Sequence, residues 1–326
     1  MTRPLGATGL HVSPITFGAM RIAGDRPDGA SSALLQALER GITSIDTARN
    51  YGDSEAVIAR TLRAWRGPRP LIATKVKPRD ISNWRFYVPM DVQFTPGSIV
   101  TSVEESLRTL GVDCLDLVQL HQWYYRWSHE TAWLETLHAL REAGKVRHIG
   151  VSAQDHEHDG VLKLVDDCRV DAVQVVLNAF ESRPLVSVVP LADERGVGVI
   201  ARCVFDHSGA LAGAATRETL ARDVKLAHAS PEVVAEYLRR IDRLREDARE
   251  HGMDLVELSI RFGLTHPGVS TLAISLADAG QVDAALAAAA RGPLPETLFD
   301  RVCREHVWVK NFYYFSRATV DGNAPV

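Results

Sequence analysis

Several signals are scarce in this chain of 326 residues, and each absence disfavours a class of protein. No run of Lys or Arg occurs and the formal net charge is -4, which argues against nucleic acid as a partner. Residues 1–18 contain no continuous apolar stretch, so neither a signal peptide nor a membrane span is predicted, and we expect a cytoplasmic location. The four cysteines form no CxxC pair, which argues against a disulfide framework or a thiolate zinc site.

One segment is rich in side chains that bind metals, at residues 155–159, which read Asp-His-Glu-His-Asp. Carboxylates and imidazoles are common metal ligands, so the segment is compatible with a metal site. A solvated loop that enters a helix is the simpler interpretation, and it is the one that we favour. We therefore predict no metal in this protein.

The dominant pattern is an alternation of short β-branched apolar runs with amphipathic stretches of helical period. This alternation predicts parallel strands joined by crossover helices. Strands are predicted at residues 15–17, 43–45, 71–74, 115–120, 148–151, 172–176, 198–201 and 270–273. Helices are predicted at residues 31–40, 54–64, 99–110, 131–143, 161–168, 185–195, 256–265 and 281–290. Glycines suited to a left-handed helix end follow four of these helices, at positions 41, 111, 144 and 196.

Eight β/α units within about 300 residues fit one closed barrel. We therefore predict an α/β protein, a (β/α)8 TIM barrel with an N-terminal β-hairpin and extended loops on the C-terminal face, in a single domain over residues 1–326. A doubly wound sheet is the alternative. The first β/α turn has no GxGxxG motif, which removes the usual phosphate-binding device of that alternative.

Three connections are longer than a barrel needs, at residues 77–97, 122–130 and 205–254. Each of them follows a predicted strand. Because active sites of such barrels lie at the C-terminal ends of the strands, this extra sequence is predicted to surround a substrate.

Polar or ionisable residues close the buried strands, where apolar residues would be expected: Asp46, Lys75, His121, Ser152, Asn178 and Arg202. In a barrel these strand ends converge on one mouth. We therefore predict one shared site.

A lysine at the end of a buried strand needs a counter-ion, and Asp46 on the neighbouring strand can supply it for Lys75. A purely structural ion pair is one interpretation. The nearby Tyr51 favours a catalytic one, because a cation beside a phenol lowers its pKa and makes it a better proton donor near neutrality. His121, as a neutral imidazole, is predicted to orient a substrate carbonyl toward Tyr51.

These residues stand in sequence contexts that resemble the aldo-keto reductase superfamily. The similarity runs through LGATGLHVSPITFGAM, GITSIDTARNYGDSE, IATKV, SLRTLGVDCLDLVQLH, GKVRHIGVS and GVGVIAR. The order and spacing of four residues resemble the catalytic tetrad of that family: Asp46, Tyr51, Lys75 and His121. The resemblance implies a TIM barrel that binds NADPH without a Rossmann domain and transfers hydride directly to an aldehyde or ketone.

The resemblance also implies cofactor-binding positions. Ser152 and Gln174 correspond to residues that bond the nicotinamide carboxamide, and Arg202 to a residue that stacks on the ring. The loop 206–213, with Gly209 and Leu211, corresponds to the segment over the pyrophosphate, and Ser275 and Gln281 to the adenosine end.

The adenosine end departs from the family pattern. Ala285 stands where the family frequently has an Asn that contacts adenine, and no Lys or Arg between Leu272 and Asp283 offers charge to a 2′-phosphate. NADPH is the predicted cofactor, and NADH is the alternative.

Aromatic residues are frequent in the extended loops, and Trp84, Trp123 and Tyr124 are predicted to bind an aromatic, polycyclic or sugar-like substrate. Packing of the loops, or a contact in a homo-oligomer, is the alternative use of these side chains.

Two other functions fit parts of the pattern. The resemblance includes relatives that act as cofactor-sensing partners of membrane channels, so a regulatory subunit with weak catalysis is one alternative. A barrel isomerase or lyase with Lys75 as a Schiff-base nucleophile is the other.

Overall fold

The structure is a computed structural model that describes residues 2–22, 27–80, 88–206, 209–213, 215–221 and 230–308. Two short antiparallel strands, β1 (Arg3–Pro4) and β2 (His11–Val12), form an N-terminal hairpin. The eight further strands are β3 (Ile15–Gly18), β4 (Ser44–Asp46), β5 (Leu71–Val76), β6 (Leu115–Leu120), β7 (Val146–Ser152), β8 (Ala172–Val176), β9 (Gly198–Arg202) and β10 (Thr271–Ile274). They run parallel and form a closed barrel in the order β10-β3-β4-β5-β6-β7-β8-β9.

Helices connect the strands and surround the barrel. They are α1 (Pro27–Glu39), α2 (Ser54–Ala64), α3 (Met90–Gln93), α4 (Pro96–Leu110), α5 (Ala132–Glu142), α6 (Leu162–Asp166), α7 (Val188–Arg195), α8 (Arg217–Ala221), α9 (Pro231–Glu250), α10 (Leu255–Thr265), α11 (Ala279–Ala290) and α12 (Glu296–Glu305). Within the described ranges, none of these helices combines the length and the apolar composition that crossing a membrane requires.

The predicted (β/α)8 barrel and N-terminal hairpin are confirmed, and the doubly wound alternative is excluded because the sheet closes. All eight barrel strands lie within one or two residues of their predicted bounds, and α2 matches its prediction at both ends. The four glycines predicted to end helices have positive φ angles between 69° and 90°. The sequence did not predict the short helices α3 and α8 or the C-terminal α12.

The N-terminal hairpin closes the end of the barrel opposite the strand C-termini. Leu5 packs with three side chains inside the barrel, Leu117, Ala172 and Ile200, in a small buried cluster. Gly6 approaches α7's end so closely that a Cβ there would lie 2.4 Å from the carbonyl oxygen of Gly196. A residue with a side chain at position 6 would therefore displace the hairpin. Because the hairpin covers the N-terminal ends of the strands, the open end of the barrel is the C-terminal one.

Candidate active site

A cavity of about 1000 Å³ opens at the C-terminal ends of the strands. Strand ends, the loops that follow them and the first turns of α11 line it. The lining residues include Gly18, Met20, Arg21, Asp46, Asn50, Tyr51, His121, Ser152, Ala153, Gln154, Asp155, Gln174, Arg202, Phe205, Asp206, Gly209, Gly213, Ser275, Asp278, Gln281 and Ala285. Four of the six polar strand ends line this cavity: Asp46, His121, Ser152 and Arg202. Lys75 and Asn178 do not line it, and the Asn178 amide instead donates to the carbonyl oxygen of Cys203 over 2.9 Å.

A buried chain of hydrogen bonds runs across the floor of this cavity. Nζ of Lys75 lies 2.6 Å from Oδ2 of Asp46 and donates a second bond of 2.9 Å to the carbonyl oxygen of Thr47. Nε2 of Gln174 donates to the other Asp46 oxygen over 2.9 Å, and Oγ of Ser152 lies 3.4 Å from Oε1 of Gln174. The side chain of Lys75 is fully buried, so its charge is held by these fixed partners.

Tyr51 stands beside this chain, on the loop between β4 and α2. Its ring centroid lies 5.2 Å from Nζ of Lys75 and 5.4 Å from the ring centroid of His121, with the two rings nearly perpendicular. The backbone holds the loop in place, because the N–H of Arg49 donates to the carbonyl oxygen of Lys75 over 3.3 Å. The four tetrad residues (Asp46, Tyr51, Lys75 and His121) are therefore close neighbours.

The electrostatics of Tyr51 differ from the prediction. Burial raises the pKa of the phenol, Lys75 and Arg202 lower it, and Asp46 raises it again, with a net shift upward from the ordinary value of 10.0. The predicted net lowering by Lys75 is thus wrong, because desolvation outweighs the cation. The phenol keeps its proton near neutral pH, which is the form that a proton donor needs.

His121 carries no charge near neutrality. Burial, followed by the nearby cations Lys75 and Arg202, holds the pKa of the imidazole well below 6.5. Its buried Nδ1 has no hydrogen-bond partner among the described residues. A neutral ring offers one donor and one acceptor, so His121 is able to bond a carbonyl oxygen in the cavity.

Arg202, at the end of β9, forms a second charged contact in the cavity. One guanidinium nitrogen lies 2.7 Å from Oδ1 of Asp155, and the other donates to the carbonyl oxygen of Ala153 over 2.9 Å. These bonds tie β9 to the loop after β7. The charge of Arg202 also lowers the pKa values of Tyr51 and His121.

The loop after β9 borders the cavity through small residues. Gly209 and Gly213 line it, whereas the side chain of Leu211 is fully buried in the core. Asp206 anchors the loop by accepting a hydrogen bond from the hydroxyl of Tyr237 on α9. Leu211 therefore offers a ligand at most its backbone.

Ser275 and Gln281 both line the cavity where β10 leads into α11. Asp278 begins the helix: its Oδ1 accepts a 2.9 Å bond from the N–H of Gln281. Oε1 of Gln281 accepts a 3.0 Å bond from the N–H of Ala277. We call this part of the cavity, formed by residues 275–285, the α11 end.

The structure describes two of the three predicted substrate contacts, and neither of these two lines the cavity. Trp84 lies outside the described residues. Trp123 is fully buried and its Nε1 donates to the carbonyl oxygen of Gly160 over 2.9 Å. Tyr124 is also buried, accepts a 2.7 Å bond from Gln122, and has its pKa raised by burial to about 12. Neither Trp123 nor Tyr124 lines the cavity, so in this structure they pack the loop onto the barrel.

Several cavity residues were not singled out from the sequence. Asn50 precedes the tetrad tyrosine, Gln154 follows β7, and Arg21 lies on the turn after β3. Position just after a strand end was the available signal for the first two. Asp155 and Asp278 were present in the sequence as a loop acid and a helix cap, but only the folded chain shows that both face the cavity.

The acidic and histidine-rich segment 155–159 divides its side chains among different partners. Asp155 binds Arg202, whereas Nδ1 of His156 lies 2.7 Å from the buried carboxylate of Glu181. His158 lies 3.3 Å from Asp159. Across the described ranges, no group of three His, Cys, Asp or Glu side chains is arranged to hold a metal ion.

Comparison with known proteins gives a consistent result. The sequence profile of the Aldo/keto reductase family matches residues 14–304. Aldo-keto reductase YhdN of Bacillus subtilis is 28% identical over 296 residues, which cover 85% of each chain. L-galactose dehydrogenase of Arabidopsis thaliana is 26% identical over 301 residues, which cover 88% of this chain and 87% of that protein.

A solved structure shares the fold. The aldo-keto reductase AKR11C1 from Bacillus halodurans, in its holo form, superimposes with a TM-score of 0.75 at 24% identity. The superposition covers 95% of this chain and 98% of the other. The likeness therefore extends over nearly the whole barrel.

Proposed function

Because this chain belongs to the aldo/keto reductase family, we propose that it reduces an aldehyde or a ketone to an alcohol, with a reduced nicotinamide dinucleotide as hydride donor and Tyr51 as proton donor. One observation carries the proposal: a protonated phenol and a neutral imidazole face a large cavity, with a buried ammonium 5.2 Å from the phenol ring. A protonated group that faces the substrate site is what proton donation to a carbonyl oxygen requires.

The cavity suits a dinucleotide in size and in chemistry. Its volume of about 1000 Å³ lies at the upper end of the range for ligand pockets, about 300–1000 Å³. Glycines at 209 and 213 allow close approach of a ligand to the backbone. Buried polar atoms of Asn50 and His121 have no partner within the described residues, so a ligand would satisfy them.

The residues divide the work as follows. Ser152 and Gln174 would hold the carboxamide group of the nicotinamide. When bound, the reduced nicotinamide ring would supply the hydride to the carbonyl carbon. His121 would bond the carbonyl oxygen and orient it toward Tyr51. The phenol would then give its proton to that oxygen, and the resulting phenolate would be stabilised by Lys75.

The Asp46 carboxylate serves Lys75 in this proposal. The carboxylate pairs with the ammonium, and this ion pair compensates the ammonium for the loss of contact with bulk water. Its second oxygen accepts from Gln174, so the same carboxylate also fixes an amide of the carboxamide subsite. Asp46 therefore connects the proton-donating residues to the cofactor-holding ones.

Of the substrate classes predicted from the sequence, a sugar-like carbonyl compound is best supported by the cavity. Asn50, Gln154 and Asp155 line it with amide and carboxylate groups, which bond hydroxyls. The two described aromatic candidates, Trp123 and Tyr124, are buried elsewhere. The name of the Arabidopsis relative, L-galactose dehydrogenase, agrees with a sugar substrate.

The Schiff-base alternative is disfavoured by the position of Lys75. A nucleophilic amine has to reach the substrate carbon, but this ammonium is fully buried and bonded to Asp46 and Thr47. Tyr51 and His121 line the cavity in front of it, whereas Lys75 is absent from the described lining. The amine would have to lose its ion pair before it could attack a carbonyl.

The test compares Tyr51→Phe with the unchanged protein. We expect turnover of D-glyceraldehyde and 4-nitrobenzaldehyde to fall by about 10²–10⁴-fold, the usual contribution of a general acid. Dinucleotide affinity should change less than about twofold, because the phenol does not hold the cofactor. Stopped-flow absorbance gives turnover, and fluorescence titration gives affinity.

Tyr124→Phe is the matched control, since that hydroxyl bonds Gln122 away from the cavity. It should retain full turnover. An active Tyr51→Phe protein would remove the phenol from the mechanism. Tight dinucleotide binding by the unchanged protein, with no turnover of any carbonyl compound, would instead favour the regulatory-subunit alternative.

A further inference from the structure

The α11 end of the cavity carries a carboxylate and no cation. Residues 273–285 include Asp278 and Asp283 but no Lys or Arg. The two arginines of the described lining lie elsewhere, Arg21 after β3 and Arg202 at the end of β9. Among the described residues, the cationic groups that line the cavity therefore lie outside the segment that forms the α11 end.

The basic residue Arg40 contacts α11, but its guanidinium is paired with a carboxylate of that helix. Nε of Arg40 lies 2.6 Å from Oδ1 of Asp283, and the Arg40 side chain does not line the cavity. An ion pair at this distance leaves the guanidinium with little net attraction for another anion.

Asp278 occupies the position at which a helix would otherwise attract an anion. The first N–H groups of a helix carry partial positive charge and bind phosphates well. Here the carboxylate of Asp278 accepts from the N–H of Gln281 over 2.9 Å, and the amide of Gln281 accepts from the N–H of Ala277 over 3.0 Å. The exposed carboxylate of Asp278 thus caps the helix start and offsets its partial positive charge.

A phosphate and a hydroxyl would meet this carboxylate differently. A phosphate monoester carries a charge of about -1.5 to -2 at neutral pH and would be repelled. A ribose hydroxyl can donate a hydrogen bond to the same carboxylate, as acidic residues do in dinucleotide sites that select NAD.

We propose that Asp278 makes this cavity selective for a dinucleotide with a free ribose 2′-hydroxyl, so that NADH rather than NADPH is the preferred reductant. The inference rests on the proposed function, because it takes the cavity as the dinucleotide site. The inference goes beyond the proposed function by assigning the choice of cofactor to one carboxylate.

Separate titrations of NADH and NADPH into the purified protein test the proposal, with tryptophan fluorescence or heat as the readout. At low ionic strength NADH should bind at least about tenfold more tightly, and the difference should shrink as salt is added. Titration with 5′-AMP and with adenosine 2′,5′-bisphosphate should show the same preference without any nicotinamide.

Asp278→Ser removes the charge but keeps an oxygen that caps the helix. NADPH should then bind at least about fivefold more tightly, while the affinity for NADH changes less than about threefold. Asp254→Ser is the matched control. Asp254 caps α10 in the same way, through a 2.8 Å bond from the N–H of Glu257, but does not line the cavity. This variant should leave the preference unchanged.

Two results would overturn the inference alone: equal or tighter binding of NADPH by the unchanged protein, or an unaltered preference in Asp278→Ser. Binding of neither dinucleotide would instead refute the proposed function and the inference with it.

Discussion

The two ends of the cavity hold their carboxylates in opposite ways. At the tetrad end, Asp46 is buried, lies 2.6 Å from the ammonium of Lys75 and accepts a second bond from Gln174. At the α11 end, Asp278 is exposed and accepts from a backbone N–H. The buried carboxylate holds Lys75 and Gln174 in place, whereas the exposed one is proposed to select between two dinucleotides.

The difference also sets how strongly each end should respond to mutation. A buried ion pair is costly to break, because the remaining charge has no water to solvate it. An exposed carboxylate is screened by solvent and salt, so its removal changes binding modestly. We therefore expect large effects at the tetrad end and small ones at the α11 end.

The largest effect is expected for Lys75→Met, which leaves the Asp46 carboxylate buried without its cation. The free energy of unfolding should fall by about 3–5 kcal/mol, and carbonyl reduction should fall by about 10³-fold. Urea denaturation and steady-state turnover measure the two effects.

Lys163→Met is the control for this comparison, because Lys163 pairs with Asp167 over 2.8 Å at the surface. Its loss should destabilise the fold far less than the loss of the buried pair, because solvent screens the surface pair. Equal destabilisation by the two variants would show that the buried pair of Lys75 and Asp46 contributes no more to stability than a surface pair.

An intermediate effect is expected for Arg202→Ala, which lies near the tetrad but pairs with a partly exposed acid, Asp155. Dinucleotide affinity should fall by about tenfold, since a charged group that borders the ligand is lost. Turnover at saturating cofactor should change less. Arg195→Ala, which breaks a surface pair with Asp166, serves as the control. Unchanged affinity in Arg202→Ala would remove this residue from the cofactor site.

The smallest effect is expected from pH. The pKa of Tyr51 is raised above 10.0, so the phenol keeps its proton throughout the neutral range and loses it only at higher pH. The pKa of His121 lies well below 6.5, so the imidazole is still neutral at pH 6.5. The rate of reduction should therefore stay nearly constant between about pH 6.5 and 10. A loss of kcat/KM centred near pH 8, with the fold intact, would contradict these two assignments.

Local patterns predicted the barrel because they are physically decisive over short stretches. β-Branched runs that are buried on both sides gave the eight strands, and the 3.6-residue period gave α2 at both of its ends. Asp46, Lys75 and His121 were singled out as polar residues at strand ends, and the resemblance to the aldo-keto reductases joined Tyr51 to them as a tetrad. Because β4 and β5 pair directly and in parallel, the residues at their C-terminal ends, Asp46 and Lys75, lie side by side.

The failures share a different physical origin. Trp123 was predicted at the cavity because it is an aromatic residue of an extended loop. Its burial depends on which side chains pack against it, and the ring centroids of Trp127 and Trp133 lie 5.9 and 5.1 Å from that of Trp123. The sign of the Tyr51 pKa shift depended on desolvation, which no spacing in the sequence reports. The ion pair between Asp155 and Arg202 joins the loop after β7 to the end of β9, and these residues are far apart in the sequence.

A crystal structure of the protein with bound NAD+ would measure the placement of both ends of the ligand at once. We predict that the nicotinamide lies beside Tyr51 and His121, with its carboxamide on Ser152 and Gln174, and that the adenosine ribose lies within hydrogen-bond distance of Asp278. A dinucleotide found outside this cavity, or with its adenine beside Tyr51, would contradict the proposed enzyme.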